Sequence, residues 1–430
     1  MSVIFSSPVV PRVLALGVLL LASQASLALT LDQALQQALA QAPSLKATAA
    51  GVDAAEQARI PAAALPDPVL KLGVQNVPVE NDQRFRLDRE PMTMQMLGLM
   101  QEVPSRAKRA AWQQQADATL GSAQAAAHFQ AQSVAAQTAA AWLRAWASEQ
   151  RLALFPALIK ENRLLDKAVQ VRLAAGLGLA AERLVPRQQA ALLHEQQDAL
   201  HAQRKQNLAQ LARWTASPAP AVEGGWPQWP VQRARYRQAL LQHPALRTAA
   251  AQTRGAEADV ALAVADKTPD WAWEVAYQNR DPAFGDMVSL QVSMDLPLFV
   301  GSRQGPRIAA EQARLSQTQA QRDDLRLQLQ AELEQGLAEL ERLQLAVRRS
   351  EQTLLPLATQ RAQLALADYR GGQGSLTEVI AARRELIETQ LRDIDLREQQ
   401  SLTNAALYFA FDPQHQEPAL YHPKATEAQP

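Results

Sequence analysis

The amino-acid sequence repeats itself once along its length, so any fold it adopts must accommodate two copies of one plan. The run Gln37-Ala38-Leu39-Ala40-Gln41-Ala42-Pro43-Ser44-Leu45-Lys46 is answered at a constant offset by Gln238-Ala239-Leu240-Leu241-Gln242-His243-Pro244-Ala245-Leu246-Arg247, and Ala55-Glu56 then falls on Ala256-Glu257. Further on, Gln101-Glu102-Val103-Pro104 answers Met294-Asp295-Leu296-Pro297, and Ala174-Ala175-Gly176-Leu177-Gly178 answers Arg370-Gly371-Gly372-Gln373-Gly374, with Glu182 on Glu378. Between the copies, 217–230 is a linker by its proline and glycine content. The expected division is therefore a first repeat over 29–216, the linker, a second repeat over 231–411 and a polar tail over 412–430.

Each copy has the same order of elements. An opening helix is expected over 31–59 and again over 232–266, followed by two short strands and then a very long helical stretch, 107–215 or 307–407. Apolar residues in these stretches recur at three- and four-residue spacing, as in Leu325, Leu329, Leu333, Leu337 and Leu340. A glycine-bearing turn interrupts each stretch, at Gly176-Leu177-Gly178 and at Gly371-Gly372-Gln373-Gly374, which makes each break the tip of a helical hairpin. Pro156 and Pro356 should kink or loosen the arms without ending them.

The strands limit the possibilities further. Over 68–76, 271–277 and 287–296, apolar and polar residues alternate, the pattern of a strand with one face in lipid and one in water. In a barrel, Lys71, Gln75, Glu274, Ser289, Gln291 and Asp295 would face the lumen. In the fourth strand, 92–100, Met92, Met94, Met96 and Met100 are read as the lipid side, with Leu97 and Leu99 blurring the alternation. Four strands cannot close a barrel, and an open edge cannot sit in hydrocarbon. The chain must either remain soluble or pool its strands with copies of itself, and three copies would give about twelve.

Composition narrows the function. Forty-three Lys plus Arg balance forty-three Asp plus Glu, which argues against a nucleic-acid partner. The absence of Cys excludes disulfides, thiolate metal sites and a lipid anchor on cysteine. Residues 1–28 read as an export signal, because the apolar run after Arg12 is shorter than the ~20 residues a bilayer span requires. No phosphate-binding glycine loop, His-Glu metal motif or nucleophile elbow occurs. A copper role for the methionine thioethers, which are soft ligands, is set aside because they are expected to face lipid.

The order of these features resembles the TolC-like outer-membrane efflux proteins. The carriers are Leu31-Asp32-Gln33-Ala34-Leu35, Gln101-Glu102-Val103-Pro104 running into Arg106-Ala107-Lys108-Arg109, and Tyr369-Arg370-Gly371-Gly372-Gln373-Gly374-Ser375-Leu376-Thr377-Glu378-Val379. The second of these, with Asp67-Pro68, looks most like the CzcC-like branch associated with heavy-metal efflux. The resemblance implies a mainly α fold with a membrane β-barrel. Long helical hairpins would form a trimeric α-barrel tunnel, and four β-strands per chain would contribute to a shared 12-stranded outer-membrane barrel. It further implies a homotrimer that is no enzyme and carries no cofactor. Its helical tips would dock onto a periplasmic adaptor, served by an inner-membrane pump of the resistance-nodulation-division type. The competing reading is a soluble periplasmic coiled-coil adaptor or scaffold.

Residue by residue, the resemblance assigns Glu182 and Glu378 to the lining of the periplasmic gate, where crowded carboxylates would favour cations. Tyr369 matches a tyrosine that helps hold the gate closed, and its counterpart in the first copy is Leu173. Gly176, Leu177, Gly371 and Gly372 match tip turns that contact the adaptor. Gly374 stands where relatives carry a basic residue able to join the gate contacts.

Overall fold

A computed structural model describes residues 28–80, 82, 84–87, 90–176, 179–217 and 220–413. Residues 1–27 of the expected export signal, the tip residue Leu177 and the tail from 414 onward lie outside the described residues.

In chain order the first copy consists of β1 (Ala28–Leu29), α1 (Leu31–Gln41), α2 (Pro43–Arg59), β2 (Val69–Gln75), β3 (Met94–Val103), α3 (Arg106–Ala174) and α4 (Leu184–Thr215). After β4 (Ala221–Val222), the second copy consists of α5 (Arg233–Ala239), α6 (Pro244–Ala265), β5 (Trp271–Asn279), β6 (Met287–Met294), α7 (Gln304–Arg349), α8 (Leu355–Arg370) and α9 (Leu376–Phe411). With 69 residues, α3 is about 100 Å long at 1.5 Å per residue.

Each opening helix, expected to be continuous, is broken at the proline that marks the repeat. Pro43 and Pro244 begin α2 and α6, where a missing N–H is no loss. The residues before them, Ala42 and His243, are forced out of the helical region to ψ 121° and 132°. The two arm prolines behave differently. Pro156 stays inside α3, whereas Pro356 follows a π-helical turn over Ser350–Leu354 that absorbs its missing donor between α7 and α8.

The helices pack into hairpins, α3 on α4 and α8 on α9, and α3 also packs along α6. On α7 the buried stripe is Leu329, Leu333, Leu337, Leu340 and Leu343, the leucine spacing seen in the sequence. At mid-length the core centres on Trp142, which stacks on Trp146 at 5.9 Å and donates from Nε1 to the Leu29 carbonyl at 2.8 Å. The stretch expected to be a linker is tied into this core. Within it β4 pairs with β1 in parallel, and Asn404 of α9 grips Trp229 both ways, accepting from its N–H at 2.9 Å and donating to its carbonyl at 3.0 Å.

The four longer strands form one antiparallel sheet in the order β2-β3-β5-β6, so strands of both copies meet at its centre. The junction of strand and helix is pinned across the repeats, with Asp270 accepting from the Ser105 N–H at 2.7 Å and from Lys108 Nζ at 2.8 Å.

Candidate channel wall and helical tips

The strand register decides which side chains share a face. Directly paired rows run Leu70–Leu99–Val275–Leu290, Lys71–Gly98–Ala276–Ser289 and Leu72–Leu97–Tyr277–Val288. One face therefore collects Leu70, Leu72, Leu97, Leu99, Val288 and Leu290, and it is bare: Leu72 and Leu290 are each 72% exposed. The other face collects the residues expected in the lumen, Lys71, Gln75, Glu274, Ser289 and Gln291. Asp295 lies one residue past the end of β6, its N–H donating to the Asp270 carbonyl at 3.0 Å.

On the polar face Lys71 Nζ bonds Glu274 Oε2 at 2.6 Å, across the intervening strand. Gly98 sits between them, and a Cβ there would lie 3.4 Å from Glu274 Oε1 and 3.6 Å from Lys71 Cβ. Gln278, also on this face, donates to Ser289 Oγ at 2.7 Å.

The methionines are a correction. Strand β3 runs over Met94–Val103, later than expected, and its pairing puts Met94, Met96 and Met100 on the polar face with Lys71 and Glu274. Leu97 and Leu99 take the apolar face. A strand with apolar residues on both sides has no orientation of its own, and its partners impose one.

At the other end of the hairpins, the two tips share a backbone feature at repeat-equivalent positions. Gly176 and Gly372 have φ of 72° and 78°, a conformation that L side chains resist. Gly371 has an ordinary φ of −76°. Gly374 lacks a side chain for another reason, since a Cβ would approach the Tyr369 N at 3.0 Å.

Tyr369 is 1% exposed, in a cluster with Leu165, Val169, Leu376 and Val379, and Leu173 packs against it. Arg172 of α3 lies over its ring at 4.3 Å and donates from Nη1 to its carbonyl at 2.8 Å. The Tyr369 hydroxyl is buried without a hydrogen-bond partner, as is Oε2 of Glu182. Burial pushes the phenol pKa up; the Arg172 charge pulls it down and the Glu182 charge raises it. Arg172 was not singled out from the sequence, where nothing marks one arginine on a helix rich in them.

Glu182 and Glu378 differ in setting. Glu182 is half-buried in a 3-10 turn over Ala180–Arg183. Glu378 is exposed and closes a capping box at the start of α9: its carboxylate accepts from the Ser375 N–H at 2.8 Å while Ser375 Oγ accepts from the Glu378 N–H at 3.2 Å. These bonds hold the Glu378 carboxyl below its ordinary pKa, the backbone one foremost. The sequence carried this signal as Ser-x-x-Glu at a helix start. Among the described residues, no group of three or more His, Asp or Glu is placed to hold a metal. No described helix is long and apolar enough to cross a membrane.

Residues 235–411 match the family model for the outer membrane efflux protein. Solved structures share the fold over both copies. A membrane protein from Pseudomonas aeruginosa superposes with a TM-score of 0.77 at 18% identity, over 89% of this chain and 90% of that one. The outer membrane protein VceC from Vibrio cholerae gives 0.74 at 19%, over 89% and 96%. The open state of the Neisseria gonorrhoeae MtrE outer membrane channel gives 0.71 at 17%, over 89% and 88%. The match to the outer membrane efflux protein family thus covers part of the chain, and the solved structures show a shared fold. Proteins of that family are channels rather than enzymes. No curated protein sequence matches the chain significantly. The family match falls on the second copy, while the shared fold extends over the first copy as well.

Proposed function

We propose that three copies of this chain form an outer-membrane efflux channel. The carrying observation is the sheet: four strands with a bare apolar face, a polar face opposite, and open edges at β2 and β6. In water such a face is a large unsatisfied patch, and in lipid the open edges are equally unfavourable. Both problems vanish if β6 of one copy pairs with β2 of the next around a threefold axis, closing twelve strands. Trp271 and Tyr277 on the apolar face, six residues or about 20 Å apart along β5, suit the two aromatic girdles of such a barrel.

The hairpins continue the barrel as a tunnel through the periplasm. Their tips close the inner end and meet a periplasmic adaptor at the turns of Gly176, Leu177, Gly371 and Gly372. An inner-membrane pump, of the resistance-nodulation-division class by family resemblance, supplies the energy, and the channel conducts passively. Glu182 and Glu378 line the constriction, Arg172 and Tyr369 stabilise its closed form, and heavy-metal cations are the cargo class that the branch resemblance favours.

The test is electrical. The mature chain reconstituted in a planar bilayer should give discrete conductance steps, and Glu182→Gln with Glu378→Gln should lower its cation preference. A chain recovered without detergent from the soluble periplasm, giving no steps, would support an adaptor instead.

A further inference from the structure

Of the seven methionines, Met1 opens the chain and the others cluster tightly: Met92, Met94, Met96 and Met100 at or in β3, and Met287 and Met294 in β6. None is in a described helix, although methionine is a good helix former and the helices hold most of the core. Packing alone would scatter them differently.

The repeat register shows what is unusual about their positions. Since Gln101 answers Met294, Met94 answers Met287, Met96 answers Ser289, Gly98 answers Gln291 and Met100 answers Ser293. The second copy thus presents hydroxyls where the first presents the thioethers of Met96 and Met100. The face is the one that carries Lys71, Glu274 and Gln278, so these sulfurs stand among water-seeking groups and not against lipid. Burying apolar surface does not explain a thioether there.

Ligand chemistry does. Thioethers are soft donors that select Cu(I) over hard cations, and Ag(I) shares that preference. Met94 and Met96 are next-but-one neighbours on one face, with Cα atoms about 7 Å apart by the strand rise, a span that two flexible side chains bridge by converging on one ion. Gln75 Nε2 already donates to Met96 Sδ at 3.3 Å, so a sulfur lone pair is directed toward the polar side. Met100 stands apart, beyond the bare position of Gly98.

We propose that Met94 and Met96 form a two-thioether site for a soft monovalent cation of the Cu(I) class on the polar wall of the sheet. The site narrows the cargo class of the channel, and in that respect it rests on the reading of this face as a lumen.

The probe is Ag(I), which needs no reductant, titrated calorimetrically into the detergent-solubilised full chain. One saturable Ag(I) per chain is expected, with affinity reduced at least tenfold by Met94→Leu with Met96→Leu. Met96→Ser, which copies the second repeat's Ser289 at that position, should weaken it as well. Met287→Leu with Met294→Leu should change affinity less than twofold, and Zn(II) should not compete. Absence of saturable binding, or equal loss from both methionine pairs, would overturn the site. The two readings fail separately: a chain that conducts without binding Ag(I) keeps the channel and loses the site, and one that binds without conducting does the reverse.

Discussion

Arg172 lies over the ring of Tyr369 at 4.3 Å and caps the same residue's carbonyl at 2.8 Å, joining the first hairpin to the second at the tip. Gly374, which stands where the sequence motif has a basic group, leaves little room for a side chain, since a Cβ there would approach the Tyr369 N at 3.0 Å. The cation at this tip therefore comes from the other repeat. Arg172→Ala should loosen the closed end, raising conductance in planar bilayers, and should cost the tip about 1 kcal/mol in hydrogen-exchange protection. An unchanged conductance would remove Arg172 from the closure.

The Tyr369 hydroxyl has no hydrogen-bond partner, so the ring and not the oxygen should matter. Tyr369→Phe should stay within about 0.5 kcal/mol of the parent stability, because no hydrogen bond is lost. Tyr369→Ala should cost about 3–5 kcal/mol through the cavity it leaves. Thermal melts of both variants separate these outcomes, and a large loss from the Phe variant would show that the hydroxyl is engaged.

Ser375 and Glu378 cap α9 reciprocally. Ser375→Ala should destabilise the tip by about 1 kcal/mol. Because the folded Glu378 carboxyl titrates below its ordinary range, its contribution is present above the unfolded pKa near 4.5 and fades as pH falls through the folded value. The hydrogen-exchange protection factor at the first turn of α9, referred to the intrinsic rate at each pH, should fall on acidification in the parent, and this pH dependence should flatten in Glu378→Gln.

Lys71 and Glu274 neutralise one another on the proposed lumen wall. Lys71→Ala should increase cation preference by leaving Glu274 alone, Glu274→Gln should decrease it, and the double variant should return near the parent. Reversal potentials under a salt gradient measure this directly. Three variants with identical potentials would place the pair outside the conduction path.

His243, which ends the break before α6, accepts from the Ala245 N–H at 3.2 Å and packs on Phe411. Burial pushes its pKa down to about 4, with Glu332 opposing. The unfolded chain takes the proton first as pH falls below about 6.5, so stability should drop between pH 6.5 and 4, by on the order of 3 kcal/mol. His243→Asn keeps an N-cap acceptor and should remove that slope in denaturant melts. An unaltered slope would assign it to another group.

Much of this molecule could be read from its residues. The duplication carried the element order, and the alternation of β2, β5 and β6 separated an apolar face from a polar one. The glycines at the tips marked positive φ in the same register of both copies. What escaped was relational. Met94, Leu97, Leu99 and Met100 are all apolar, so hydropathy could not orient β3, and only the pairing with Lys71 and Glu274 did. Arg172 and Tyr369 meet across nearly two hundred residues of sequence, beyond the reach of any local pattern. The breaks at Pro43 and Pro244 were visible in the sequence, but the helical spacing on either side masked them.

The central claim is that the open sheet is completed by copies of the same chain in a membrane. Native mass spectrometry of the protein extracted by detergent from the outer-membrane fraction tests it in one step. Three chains per particle is the predicted result, and a single chain per particle would contradict it.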